Sequence, residues 1–328
     1  MAILLCKKCS YLREVSNDYT GKTVSCPICK ETVPVHNTVA FVKNVLTQYK
    51  QLHDKYSGLR ANDTDEVVAA AEFNLDGEDI DFHNTSLMAS KTQFKPIKDW
   101  FGKKGIELDV DTRALDTQGF FDEIAVALGE NYPLLKDVNE RISKAQRKGY
   151  GTVTLAMAKY SQKEIQALTK YCKELYDFSF VAKYFYHKSD KRIHLTLQKT
   201  ASIVNFFNGE WLEWFVFMKL LILLYEKKMP FSGLRSFKVH FPNEDQHEVD
   251  VFFLINNSIP LFIECKTGEF RSTIDKYHKL RSRMGIDKKY FVMLVLGLSD
   301  SQTKGLTSMY DITFVNENEF VDYFQTML

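Results

Sequence analysis

Two apolar runs, Val251-Phe252-Phe253-Leu254 and Leu261-Phe262-Ile263, are each bordered by charge that a buried strand does not tolerate without compensation. The first follows His247-Glu248-Val249-Asp250, and the second runs directly into Glu264-Cys265-Lys266. Asn256, Asn257 and Ser258 between them form a tight polar connection, which predicts a β-hairpin. Side chains alternate along a strand, so Glu264 and Lys266 share one face while Ile263 and Cys265 share the other. Charges in strands this apolar need partners or a metal ion. An aspartate on one strand and Glu-x-Lys on the next can hold a divalent cation through hard oxygen ligands. The lysine then orients or deprotonates a water for in-line attack on phosphorus. Most of the catalysis would come from stabilising charge that develops on the phosphate.

The surrounding pattern predicts an α/β core. An apolar helix over about 210–228 precedes strands near 234–241, 248–256 and 259–266. A polar helix (270–284), a strand (290–297), a short helix (301–308), a strand (311–315) and a final helix (316–326) follow. Asp250, then 13 intervening residues, then Glu264-Cys265-Lys266 resembles the PD-(D/E)XK signature of the restriction-endonuclease-like superfamily. His247-Glu248-Val249-Asp250 stands where that signature has Pro-Asp, and Gly209-Glu210-Trp211-Leu212-Glu213 resembles its acidic Gly-x-Trp-Leu-Glu helix. Within the superfamily the three blocks, over residues 205–328, are most similar to the nuclease domain of CRISPR ancillary nucleases fused to a cyclic-oligonucleotide sensor, the CARF domain. The resemblance implies catalytic positions for Glu213, Asp250, Glu264 and Lys266, with Glu248 as an accessory carboxylate and Asp250 and Glu264 as ligands of Mg²⁺ or Mn²⁺. Glu210 competes with Glu213, since three residues apart on a helix they lie near one face. Residues 1–200 depart from the family, because they lack the alternating βαβ pattern of a CARF domain.

Cys6-Lys7-Lys8-Cys9 and Cys26-Pro27-Ile28-Cys29 are two C-x-x-C knuckles separated by 16 residues. Two such turns complete a tetrahedral shell of sulfur, which suits Zn²⁺, and a unit of about 36 residues needs the metal to fold. The pattern resembles a zinc ribbon with Cys6, Cys9, Cys26 and Cys29 as ligands. Ser10 and Lys30 follow the knuckles, where that family often has Gly. Lys7, Lys8, Arg13, Lys22 and Lys30 leave nucleic-acid contact and protein contact equally open for the ribbon. Arg271, Lys276, Lys279 and Arg283, on or just before the polar helix after Gly268, are candidate phosphate contacts, with a solvated helix face as the alternative.

Between these ends, residues 39–58 carry apolar positions at helical spacing, and residues 61–87 are acidic and Asp/Asn-rich. From 90 to 200 the pattern is helix-rich, with helices at 118–129, 133–147 and 161–176 and a hairpin of Phe178–Tyr186 with Ile193–Leu197. Lys plus Arg number 43 against 42 Asp plus Glu, so a uniformly basic nucleic-acid coat is excluded while a local basic cleft is not. No apolar run reaches the roughly 18–20 residues of a membrane span, and the opening MAILLCKK lacks signal-peptide features. Paired and isolated cysteines of this kind predict a reducing, cytoplasmic setting.

The expectation is a multidomain α/β protein. It comprises an N-terminal zinc ribbon (1–36), a connecting helix and acidic linker (37–89), a helix-rich α+β middle domain (90–200) and a C-terminal restriction-endonuclease-like α/β core (201–328). The expected function is an Mg²⁺/Mn²⁺-dependent endonuclease hydrolysing phosphodiester bonds, DNA ahead of RNA. By analogy with the family it would act in antiviral defence. The alternative is a non-catalytic nucleic-acid-binding or complex-adaptor module built on a degenerate nuclease fold. A protein partner would dock on the ribbon or the middle domain, no membrane is involved, and double-strand cleavage would favour a homodimer.

Overall fold

The computed structural model describes residues 2–6, 8, 12–39, 91–111, 120–242 and 246–328. The chain divides into two compact units, Met1–Ala71 and Glu72–Leu328. The helix expected over 39–58 and the acidic stretch 61–87 lie outside the described residues, apart from Val39. The architecture is mixed α/β.

In the first unit, β1 (Ala2–Leu5), β2 (Leu12–Val15), β3 (Thr23–Ser25) and β4 (Thr32–Asn37) form an antiparallel sheet in the order β2-β1-β4-β3. Among the described residues its core is small: Ala2, Leu4, Val33 and Val35 pack with Cys6 and Cys26. A cluster of this size offsets little of the chain entropy lost on folding.

The second unit begins with α1 (Lys91–Gly102) and a short strand, β5 (Glu107–Asp109). It continues through α2 (Phe120–Glu130), α3 (Tyr132–Arg147), β6 (Thr152–Ala156), α4 (Gln162–Asp177), β7 (Val181–His187), β8 (Arg192–Leu197) and α5 (Ala201–Asn205). There follow α6 (Trp211–Glu226), β9 (Phe231–His240), β10 (Gln246–Ile255), β11 (Ile259–Lys266), α7 (Ile274–Met284), β12 (Phe291–Val295), α8 (Asp300–Met309), β13 (Thr313–Val315) and α9 (Phe320–Met327). Ser161 caps α4 reciprocally with Glu164. The final helix starts later than its periodicity suggests. Buried Asn316 accepts the backbone N–H groups of Asn318 and Glu319 at 2.9 and 3.0 Å, holding a turn before α9.

The main sheet has six strands in the order β13-β12-β11-β10-β9-β5. β9, β10 and β11 are antiparallel neighbours, whereas β12 and β13 add in parallel. β5, from the segment grouped above with 90–200, completes the far edge against β9. One layer of the core joins Val251, Phe253, Leu261 and Ile263 to α6, to α2–α4 and to the three-stranded sheet β6-β8-β7. The other joins Phe252, Phe262 and Phe291 to α1 and α7. The α6 sequence is apolar all round because both its sides are covered. A Cβ on Gly129 would lie 2.4 Å from the Phe215 ring, so only glycine lets α2 approach this closely. Residues 90–200 and 201–328 thus lie in one compact unit with a shared core.

Between α5 and α6 the chain passes through a π-helical turn, Phe206–Glu210, where Gly209 adopts φ 148°. That angle suits glycine, and a Cβ there would meet the Thr267 hydroxyl at 3.4 Å. The kink seats the start of α6 against the end of β11. No helix among the described residues is long and apolar enough to cross a membrane.

Candidate active site

The hairpin register sets the site. Val251 pairs with Ile263 and Phe252 with Phe262, which brings Asp250 alongside Glu264 at the end of the paired segment. Asp250 is 9% exposed and Glu264 only 1%. The Asp250 Oδ2 accepts the Cys265 backbone N–H at 2.8 Å. Glu264 Oε1 accepts both the Lys266 ammonium and the Tyr277 hydroxyl, while Glu264 Oε2 is buried with no hydrogen-bond partner. Lys266 also lies 3.5 Å from the Tyr277 oxygen, and its side chain is 24% exposed. The ammonium therefore sits where the buried carboxylates meet solvent.

Burial pushes the Asp250 carboxyl well above its ordinary range, and the Glu264 and Glu213 charges push it further. Burial alone would lower Lys266, but Glu264 and Asp250 outweigh it and the net shift is upward. The ammonium thus stays charged at neutral pH. Burial, with Glu264 next, raises the Tyr277 phenol as well, so its hydroxyl remains a donor.

Glu213 reaches the site from α6 and accepts the Ser236 hydroxyl, which itself accepts from Arg235 at 2.7 Å. Ser236 has φ 49°, a left-handed backbone that a serine adopts only under constraint from its surroundings. Arg235 is buried, with its guanidinium 3.2 Å from the Trp214 ring centroid, and burial brings its pKa down to about 10. Burial pushes Glu213 up to about 7, partly opposed by Ser236 and Arg235. Glu210, on the π turn, is raised in the same direction by burial. Its charge and that of exposed Glu248 both bear on Glu213.

The structure therefore brings Glu213, Asp250, Glu264 and Lys266 together, with Glu210 and Glu248 at their margin. The cations of the following helix are less concentrated. Arg271 is paired with Glu269 at 3.1 Å, and Arg283 stacks 3.9 Å over Phe241. Lys276 and Lys279 are exposed, with Lys276 5.3 Å from the Tyr277 ring. Sequence reasoning missed Tyr277, Ser236 and Arg235. Tyr277 sits at core spacing between Ile274 and Leu280, and its signal was a buried phenol that needs a partner. Arg235 was a charge within an otherwise apolar strand.

Two buried carboxylates, one carrying an unpartnered oxygen, fit a hard divalent cation, and Mg²⁺ or Mn²⁺ suits that donor set. In the first unit, the sulfurs of Cys6, Cys26 and Cys29 lie within 4.8 Å of one another, Cys6 and Cys29 at 3.4 Å. That spacing and thiolate chemistry fit a metal such as zinc. Cys9 lies outside the described residues. After the second knuckle, Lys30 takes φ 62° and donates its backbone N–H to Cys26 O at 3.0 Å. Lysine thus occupies the left-handed position where a glycine is commonly found.

The chain matches no protein-family model and no curated protein. Among solved structures it is similar to VC1899 from Vibrio cholerae, with 18% identity and a TM-score of 0.47 over 70% of this chain and 60% of that one. It is also similar to Can2 from Sulfobacillus thermosulfidooxidans in complex with cyclic tetra-adenylate, with 14% identity and a TM-score of 0.48 over 70% and 59%. The match spans about three-fifths of the length of each.

Two measurements follow from this geometry. Elemental analysis should find about one zinc per chain, lost when Cys26 and Cys29 become Ser. The second concerns Glu213, whose folded pKa lies above its unfolded value. The folded state then holds more protons between about pH 4.5 and about 7, so stability falls as pH rises through that window. Without added divalent ion, Glu213→Gln should raise the thermal midpoint progressively from pH 4.5 to 7, and by a constant amount above it. A pH-independent difference would contradict the assigned shift.

Proposed function

We propose that the chain is a divalent-metal-dependent nuclease that hydrolyses phosphodiester bonds, with DNA ahead of RNA as substrate. The observation that carries the reading is Glu264 Oε2, a buried carboxylate oxygen without a partner beside buried Asp250. Leaving such an acceptor bare costs about 1–3 kcal/mol or more, and retaining it makes physical sense if something binds there. A bound Mg²⁺ or Mn²⁺ would neutralise phosphate charge and polarise the attacking water.

The chain's own groups divide the remaining work. Asp250 and Glu264 would hold the cation, with the Cys265 N–H and the Tyr277 hydroxyl fixing their orientation. Lys266, charged and partly exposed, orients the water and offsets charge on the phosphate. Glu213 would be a further carboxylate, aimed by Ser236. The preference for DNA and a place in antiviral defence come from the resemblance of the three motif blocks. Four cysteine ligands would leave no open position on zinc, so the ribbon would serve recruitment or substrate engagement and take no part in the chemistry.

The test is incubation of the purified protein with supercoiled, linear and single-stranded DNA and with RNA, in Mg²⁺, in Mn²⁺ and in EDTA. Cleavage should require the metal. Asp250→Ala or Glu264→Ala should abolish it while binding persists, and Lys266→Ala should slow it on the order of 10²-fold. Tyr277→Phe should cost about tenfold by loosening Glu264, and Glu213→Ala should do more harm than Glu210→Ala. Wild-type rates in all these variants would place the chemistry elsewhere. No cutting of any substrate by the wild type would favour a binding or adaptor module.

A further inference from the structure

The three-stranded sheet has one face buried and one face open. Val153, Leu155, Ile193, Leu195 and Leu197 point into the core, while the alternate positions of all three strands point outward. On an outward face of this kind, small polar residues such as Thr152 and Thr154 are ordinary. Phe185, on β7 in the outward set, adds a large apolar ring that is 57% exposed.

Its neighbours form a pattern. The register places Phe185 opposite His194 and His187 opposite Arg192, with Lys183 opposite Thr196. The Phe185 and His187 rings lie 4.8 Å apart at 74°, and His187 lies 6.3 Å from His194 at 83°. Thr154 holds the His194 ring through Nδ1 at 3.0 Å. None of the three strands carries a carboxylate. Over 181–199 the chain has five Lys and Arg against one acid, Asp190 in the turn, although its net charge is only +1.

We propose that this open face binds single-stranded nucleic acid. Bases would stack on Phe185 and the adjacent imidazoles, and Lys183 and Arg192 would meet the phosphates. Rings set on a sheet and flanked by cations are the chemistry that holds unpaired bases, because every base presents a π-face while a duplex hides it. The charge favours a polyanion over an ordinary protein surface. The proposal deepens the nuclease reading by naming an unpaired substrate, and it rests on that reading for its purpose but not for its test.

The test uses the full chain in EDTA, where no cleavage interferes, with fluorescently labelled oligo-dT, oligo-U and a duplex of equal length followed by anisotropy. The wild type should bind both single strands more tightly than the duplex. Phe185→Ala should weaken single-strand binding about tenfold and Phe185→Trp should restore it. Lys183→Ala with Arg192→Ala should lower the slope of log affinity against log salt by about 1.4. An unchanged thermal midpoint would show that these exposed positions leave the fold intact. Duplex binding as tight as single-strand binding would overturn the proposal. So would wild-type affinity in the Phe185→Ala or the double variant, or a loss that tryptophan does not restore. Metal-dependent cleavage by the Asp250 and Glu264 site is read separately in Mg²⁺, so the two readings fail independently.

Discussion

Asp250 and Glu264 are two acidic side chains buried side by side between apolar layers, and much of the second unit can be understood as the means of keeping them there. The hairpin register brings them together, and the Cys265 N–H, the Lys266 ammonium and the Tyr277 hydroxyl each take part of their charge. The compensation is incomplete, since one oxygen of Glu264 has no partner and Asp250 is held toward its neutral form. Removing charge from water is expensive, and a chain selected only for stability would replace such a pair with apolar residues. The proposed cation site would explain why the pair is retained.

The elements around the pair act as supports. The π turn at Gly209 seats the first turn of α6 beside the end of β11, and the close approach at Gly129 lets α2 press that helix onto the sheet. Ser236, in a left-handed conformation, links Arg235 to Glu213. Trp214 and Arg235 stack in the same region, so the carboxylate on α6 and the strand that meets it are fixed together. The first unit works differently. Among its described residues the apolar cluster is small and includes cysteines, whose sulfurs lie close enough to hold a metal.

How much of this was readable in the sequence depended on the range of the interaction. The polar Asn256-Asn257-Ser258 connection between two apolar runs pointed to the hairpin, and the period of two along a strand to the shared face of Glu264 and Lys266, because those facts are local. The three-residue strand β5 carried too short a pattern to be seen, and it forms only because β9 offers an edge. Tyr277 looked like one more core residue on its helix, since nothing local says that its hydroxyl meets Glu264. The packing of α2 and α3 onto α6, which puts residues 90–200 and 201–328 in one unit, is a long-range fact that no window of sequence contains.

The proposed cation site at Asp250 and Glu264 is tested by titrating Mn²⁺ into the full chain and following free Mn²⁺ by electron paramagnetic resonance. Binding that is lost in both Asp250→Asn and Glu264→Gln is predicted, as is an affinity that rises with pH because Asp250 must give up its proton. Binding by both variants at wild-type strength, or none by the wild type, would contradict it.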